Sequence, residues 1–139
     1  MLKNFNLHDA VLCEDVRQEI TGKFLIIGAY SGNIMVSSFP ANIAVNFYLP
    51  FEPLVSGEVL FSIRYSIENG ATAILEGGVE VNAVGETSAL FGPRVELPVG
   101  QEGALTIDFS EDGGKTWVAV VKKSIMLGVT ASPFGTLFA

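Results

Sequence analysis

The chain has 139 residues, of which 49% are hydrophobic and 17% charged, and its formal net charge is −7. This length suits one domain with a single buried core. The acidic balance argues against nucleic-acid binding, which depends on clustered lysines and arginines that neutralise phosphates. No apolar run approaches the roughly 18 residues of a membrane span.

Alternating apolar and polar residues predict a series of short strands, because a half-buried strand has a two-residue period. In chain order, strands are expected at residues 7–13, 23–27, 34–36, 42–49, 59–67, 71–75, 79–81, 95–99, 105–110 and 117–121, with 124–127 as an extension. Eight to ten strands at this spacing predict an all-β protein, a single-domain antiparallel β-sandwich over residues 1–139, with a small β-barrel as the alternative.

Several boundaries follow from local chemistry. Leu12, Val16 and Ile20 lie at helical spacing, so one or two helical turns are an alternative there. We favour a strand, a bend and a hairpin, because Gly22 leads directly into the apolar run 23–27. Prolines 50 and 53 are expected to end the 42–49 strand, since proline cannot donate to a ladder. Residues 84–94 are expected to form a loop, and Gly77-Gly78 to separate two strands.

The clearest local signal is a hairpin between 105–110 and 117–121. Its turn reads Ser110-Glu111-Asp112-Gly113-Gly114-Lys115-Thr116-Trp117. These eight residues resemble the Asp-box, Ser-x-Asp-x-Gly-x-Thr-Trp, of sialidases and other β-propeller proteins. The resemblance implies a structural hairpin brace remote from any catalytic centre, formed by Ser110, Asp112, Gly114, Thr116 and Trp117. On physical grounds we expect Trp117 to bury its ring under the turn.

A similar order of residues, Ser66 to Ala73, occurs upstream. It is either a degenerate second copy of the hairpin or the turn chemistry that β-hairpins share. Both interpretations predict a hairpin turn at Glu68 to Gly70.

The first 50 residues carry further motifs. They are Leu12-Cys13-Glu14-Asp15-Val16-Arg17-Gln18-Glu19 with Gly22-Lys23, then Ile27-Gly28-Ala29-Tyr30, and later Ser38-Phe39-Pro40. They resemble an uncharacterised bacterial family of small β-domains that opens with Cys-x-Asp-x-Arg-x-Glu. The resemblance implies a β fold without a known activity, and a polar bend made by Asp15, Arg17 and Glu19. Without it, these three side chains are simply a solvated hairpin bend.

Few residues are candidates for catalysis. His8 is the only histidine and Cys13 the only cysteine. Their odd separation would place them on opposite faces of one strand. We expect a buried structural cysteine and an exposed histidine, with neither an internal disulfide nor a cysteine-based metal site. We predict no catalytic residue, no cofactor and no metal ligand.

Two acidic groups are candidate oxygen donors for Ca²⁺ in a sandwich loop, although neither has the spacing of a recognised calcium loop. These groups are Asp108, Glu111 and Asp112, and Glu14, Asp15 and Glu19. A sialidase-like carboxylate clamp would need Arg17, Arg64 and Arg94 to converge, yet they lie on unrelated predicted elements.

A charged fraction below the roughly 25% of ordinary soluble domains indicates subunit contacts. We therefore predict a non-enzymatic structural or interaction subunit that binds a protein partner or itself as a homo-oligomer, in a bacterial or phage assembly. Synthesis in the cytoplasm is expected because no signal peptide opens the chain, and a virion component would look the same. One alternative is a carbohydrate- or small-ligand-binding module that uses Tyr30, Tyr48 and Tyr65, although Tyr65 shares its strand face with Phe61 and Ile63 and is expected to be buried. A weaker alternative is a hydrolase.

Overall fold

The computed structural model describes residues 2–128, and every regular element within them is a β-strand. Eleven strands in this range form two sheets. In chain order they are β1 Phe5–Leu7, β2 Val11–Gln18, β3 Phe24–Ala29, β4 Ile34–Val36, β5 Ala41–Pro53, β6 Gly57–Ile67, β7 Thr72–Val81, β8 Ser88–Phe91, β9 Val95–Val99, β10 Gly103–Ser110 and β11 Val118–Leu127.

The first sheet, here called the curled sheet, is built around the long strand β5. Strands β1 and β2 pair with one edge of β5, and β8 and β9 pair with the other. Strand β3 extends the sheet beyond β2. The second, five-stranded sheet has the order β4-β11-β10-β6-β7, so β7 is an edge strand.

One hydrophobic cluster lies between the sheets and draws on both. Alternate residues of β6 and β10 point into it, among them Tyr65 and Phe109, which are fully buried. The ring of Phe109 meets that of Phe5 from the first sheet at 5.0 Å and stacks on Phe61 at 5.8 Å. Burying each large apolar side chain contributes about 1.5–3 kcal/mol, so this core is the main source of stability.

The predicted all-β class is confirmed, and so is the predicted turn between β6 and β7. Ile67 donates its N–H to the carbonyl of Ala71 at 2.8 Å, and Gly70 donates back to Ile67 at 2.9 Å. Asn69 has a φ of 56°, a left-handed conformation that asparagine tolerates well. The turn therefore forms where the sequence places it.

Four predicted boundaries are wrong. The expected first strand is two strands, and β2 continues to Gln18 as extended chain, so no helix forms there. The expected bend lies later, in the turn at residues 19–22, which joins β2 and β3 in the expected hairpin. Pro50 lies inside β5, where its carbonyl accepts the N–H of His8 at the point where β5 changes partner from β2 to β1. Strand β8 occupies part of the predicted 84–94 loop, and β7 runs unbroken through Gly77 and Gly78.

Two details of the sheets also differ from prediction. All described strand pairs are antiparallel except β4–β11, which is parallel. A bulge in the β10–β11 pairing shifts the register between Ile107 and Asp108, so Ala119 is exposed while Val121 is buried. An unbroken two-residue period would have placed both residues on one face. The apolar tail from Ser132 to Ala139 lies outside the described residues.

Candidate interaction surface

The Asp-box-like turn is closed by its own side chains. The Ser110 hydroxyl donates to Asp112 Oδ1 at 2.7 Å and accepts the N–H of Gly114 at 2.9 Å. The same carboxylate oxygen accepts the N–H of Thr116 at 2.9 Å. These hydrogen bonds, first that from Thr116 and then that from Ser110, lower the pKa of Asp112 to about 2. The polar residues of the expected brace therefore bond to one another, and the Asp-box remains a resemblance.

Trp117 is half-buried beside this turn and carries an arginine on its ring. A Cβ at Gly114 would lie 3.2 Å from Cζ2 of the indole, so glycine allows the ring to lie against the turn backbone. The guanidinium of Arg64 sits 4.3 Å from the ring centroid and bonds to Asp108 at 2.9 and 3.2 Å. Such a stacked cation contributes about 0.5–1 kcal/mol when partly exposed. Asp108 is thereby engaged in a salt bridge.

Glu111 joins this turn to the start of the chain. Its carboxylate accepts the backbone N–H groups of Lys3 and of Asn4, the latter at 2.8 Å. Neither contact could be found by sequence reasoning, since more than 100 residues separate the partners. Together with the Arg64–Asp108 pair, they show that the acidic group 108–112 makes structural contacts.

The residues of the predicted polar bend lie in and after strand β2. Asp15 accepts the N–H of Val16 at 2.9 Å and pairs with Nε of Arg17 at 3.3 Å, while Glu19 is exposed beyond the strand end. Burial acts to raise the pKa of Asp15, but the hydrogen bonds from Arg17 and Val16 outweigh it, so that pKa is lowered. This is a local arrangement on one strand.

The three arginines have different acidic partners. Arg17 pairs with Asp15 in β2 and Arg64 with Asp108 in the other sheet. Arg94 lies 3.6 Å from Glu96. The three arginines therefore do not form the carboxylate clamp considered from the sequence.

His8 and Cys13, the single histidine and cysteine, lie in different environments. Nε2 of His8 lies 3.0 Å from Oε1 of Glu52 at the surface. Cys13 is fully buried, and this burial, with the nearby Asp15 carboxylate, raises its pKa to about 11. A thiol with this pKa is protonated and unreactive at neutral pH.

The three tyrosines do not form an exposed platform. Tyr65 is fully buried, and Tyr30 is half-buried with its hydroxyl donating to the carbonyl of Ala44 at 2.7 Å. The ring of Tyr48 packs against Phe24 at 5.3 Å, and Phe24 in turn contacts Phe91 at 5.2 Å. These aromatic rings pack against one another and connect the start of β3 to β5 and β8.

What the fold does bring together is an exposed surface on β6 and β7. The paired strands place apolar and acidic side chains side by side on the solvent face. Leu60 and Ile74 are 64% and 55% exposed. Around them lie Glu58 and Glu80, which are direct cross-strand neighbours, and Glu76. We call these five residues, with Gly78 opposite Leu60, the β6–β7 surface.

A groove of about 470 Å³ adjoins this surface where β7 passes the Asp-box-like turn. Its lining includes Leu60, Phe61, Gly77 and Glu111. A Cβ at Gly77 would lie 2.9 Å from Cζ of Phe61, so the glycine leaves room for that ring. The sequence contained a signal for this continuous strand, because the inward positions 73, 75, 77, 79 and 81 keep the two-residue period across both glycines.

No protein-family model matches the chain, and no curated protein matches it in sequence. Within residues 2–128, no group of three or more histidine, cysteine, aspartate or glutamate side chains is placed to bind a metal. The same residues include no helix with the length and apolarity that crossing a bilayer requires.

Proposed function

We propose that the protein is a non-enzymatic interaction subunit that binds another protein through the β6–β7 surface. The observation that carries this proposal is the edge strand β7, which runs for ten residues and pairs only with β6 among the described strands. Soluble proteins usually protect such an edge with proline, with charged side chains, most often lysine, or with a bulge. Strand β7 contains neither proline nor lysine, and its pairing with β6 has no bulge. Its charged residues, Glu76 and Glu80, would repel a second copy of this acidic edge but not a basic partner.

Apolar exposure on the same strands supports the proposal. Leu60 and Ile74 lie on the face next to the open edge, so a partner would remove both from water. The low charged fraction of the whole chain agrees with a subunit that has contact surfaces. A role in a larger bacterial or phage assembly fits this composition and is part of the proposal.

The alternatives receive less support. Candidate catalytic groups in the described residues are engaged in separate ion pairs, as for Arg64 and Arg94, or buried, as for Cys13. A carbohydrate-binding face needs exposed aromatic rings, whereas Tyr65 is buried and Tyr48 is packed against Phe24. A protein contact is therefore the function that the geometry supports best.

Site-specific photo-crosslinking tests the proposal. A benzophenone amino acid replaces Ile74 in the full chain, and a control variant carries it at the exposed Asp9. On irradiation in extracts of the source cells, the variant at position 74 should give a discrete protein adduct that the control does not give. Adducts of equal yield at both positions, or none at position 74, would refute the proposed surface.

A further inference from the structure

The pairing of β6 with β7 determines which backbone groups of β7 are free. Ile67 and Ala71 are hydrogen-bonded across the turn, and the register continues without a shift from there. Hydrogen-bonded and non-hydrogen-bonded pairs alternate along an antiparallel ladder. The odd-numbered residues of β7 therefore bond to β6. The N–H and C=O groups of the even-numbered residues, from Thr72 to Glu80, point to the open side.

The same even-numbered residues have their side chains on the solvent face. A strand added to this edge would thus face Ile74, Glu76, Gly78 and Glu80 in turn. Glu76 and Glu80 present two carboxylates, and Gly78 between them leaves a gap with the exposed Leu60 beside it. The edge consequently offers free backbone donors and acceptors together with two carboxylates, at Glu76 and Glu80, on either side of the open space at Gly78.

We propose that β7 binds an extended segment of another protein by antiparallel strand addition, and that this segment has basic side chains four residues apart with a large apolar side chain midway. The basic residues would lie opposite Glu76 and Glu80, since directly opposed residues share a face. The apolar side chain would lie over Gly78 and cover Leu60. This inference rests on the proposed function and names the chemistry of its partner.

Charge favours such a partner over a second copy of the chain. Two β7 edges brought together would place Glu76 and Glu80 of both copies along one seam, with Glu58 nearby on each side. Like charges at cross-strand distances repel, and each copy carries a net charge of −7. The two carboxylates would therefore oppose self-pairing and attract a basic segment.

The first test is a capped heptapeptide, Thr-Lys-Thr-Phe-Thr-Lys-Thr, against the full chain. A matched peptide carries glutamate in place of both lysines, and a third is N-methylated at both lysines and at the phenylalanine. The lysine peptide should bind at least tenfold more tightly than either control. The double variant Glu76→Lys/Glu80→Lys should bind the glutamate peptide more tightly than the lysine peptide. The control variant Asp9→Lys/Glu19→Lys makes the same change in net charge in the segments that flank β2 of the curled sheet, and for it the lysine peptide should remain the tighter binder.

Amide hydrogen exchange gives a readout specific to strand addition. In the free protein, the amides at Ile74, Glu76, Gly78 and Glu80 should exchange fast, and those of their odd-numbered neighbours slowly. Bound lysine peptide should slow the even-numbered amides at least tenfold and so remove the alternation. Unchanged exchange in the complex would overturn strand addition.

Other outcomes also overturn the inference. One is equal binding of the lysine and glutamate peptides, and another is full binding of the N-methylated peptide. Absence of binding at about 1 mM, the weak end of specific recognition, is a third. Even-numbered amides already protected in a dimer would show that a second copy occupies the edge.

If these tests fail while crosslinks at position 74 persist, the proposed function stands and only the binding mode is wrong. If the peptide tests and the crosslinking at position 74 all fail, the β6–β7 surface is not a binding surface.

Discussion

The hydroxyl of Tyr65 offers a sharp test of how the core is built. The side chain is fully buried, and its hydroxyl has no hydrogen-bond partner among the described residues. An unpaired buried hydroxyl costs about 1–3 kcal/mol, because its hydrogen bonds to water are lost without replacement. The change Tyr65→Phe removes the hydroxyl and keeps the ring that packs against Phe47 at 6.3 Å. We expect this variant to be more stable than the native protein by about 1 kcal/mol.

The matched control is Tyr30→Phe, which makes the same chemical change where the hydroxyl is paired. Tyr30 donates to the carbonyl of Ala44 at 2.7 Å, so losing this bond should cost about 1 kcal/mol. Urea unfolding should show unequal midpoints and equal m-values for the two variants. In thermal unfolding, Tyr65→Phe should melt about 3 °C above the native protein and Tyr30→Phe about 3 °C below it.

The sign of the change in the free energy of unfolding shows whether the Tyr65 hydroxyl is unpaired. If Tyr65→Phe lowers the free energy of unfolding by about as much as Tyr30→Phe, the Tyr65 hydroxyl is hydrogen-bonded in solution. The reasoning about an unpaired group would then be wrong. A change of m-value in either variant would instead indicate an altered denatured state.

Further predictions concern pH and packing. Because the pKa of Cys13 is raised to about 11 in the fold from an ordinary 9.0, the unfolded thiol ionises first, and stability should begin to fall above about pH 9. Burial also raises the pKa of Tyr30 and of Tyr65 above their ordinary 10.0, so these groups add to the loss at higher pH. Cys13→Ala should therefore remove the fall between about pH 9 and 10 and leave the steeper fall above it. Because the pKa of Asp112 is lowered from 3.8 to about 2, its stabilisation is present above pH 4 and lost as pH falls through 2. The amide NMR signal of Thr116 should titrate with that low midpoint, and a midpoint near 3.8 would contradict the bonding of the turn. Ile107→Ala, at a fully buried site, should cost about 2–5 kcal/mol in urea unfolding, whereas Leu60→Ala should stay within about 0.5 kcal/mol. Similar losses for the two would refute the assignment of core and surface.

Local patterns predicted part of the fold well. The turn after Ile67 and the burial of Tyr65 follow from the two-residue period and from turn chemistry, which are local properties. The breaks expected at Pro50 and at Gly77 were wrong for a common reason. Neighbouring strands supply the hydrogen bonds and side-chain contacts that keep these weak strand formers extended, and no local rule contains those neighbours.

The candidate surface shows the same division. Glu58, Ile74 and Glu80 are well separated in the sequence, and their proximity depends on the register of β6 with β7. The contact of Glu111 with Asn4 likewise joins two ends of the chain. Such placements depend on long-range pairing, which spacing along the chain does not specify.

The sequence by itself determined that the protein is built from β-strands, because a two-residue alternation of apolar and polar side chains can bury its apolar half only in a pleated sheet. The tertiary structure alone decided that β7 ends its sheet and that its even-numbered backbone groups remain open. Edge position is a property of which strands pair across the whole chain, whereas alternation is a property of each strand alone.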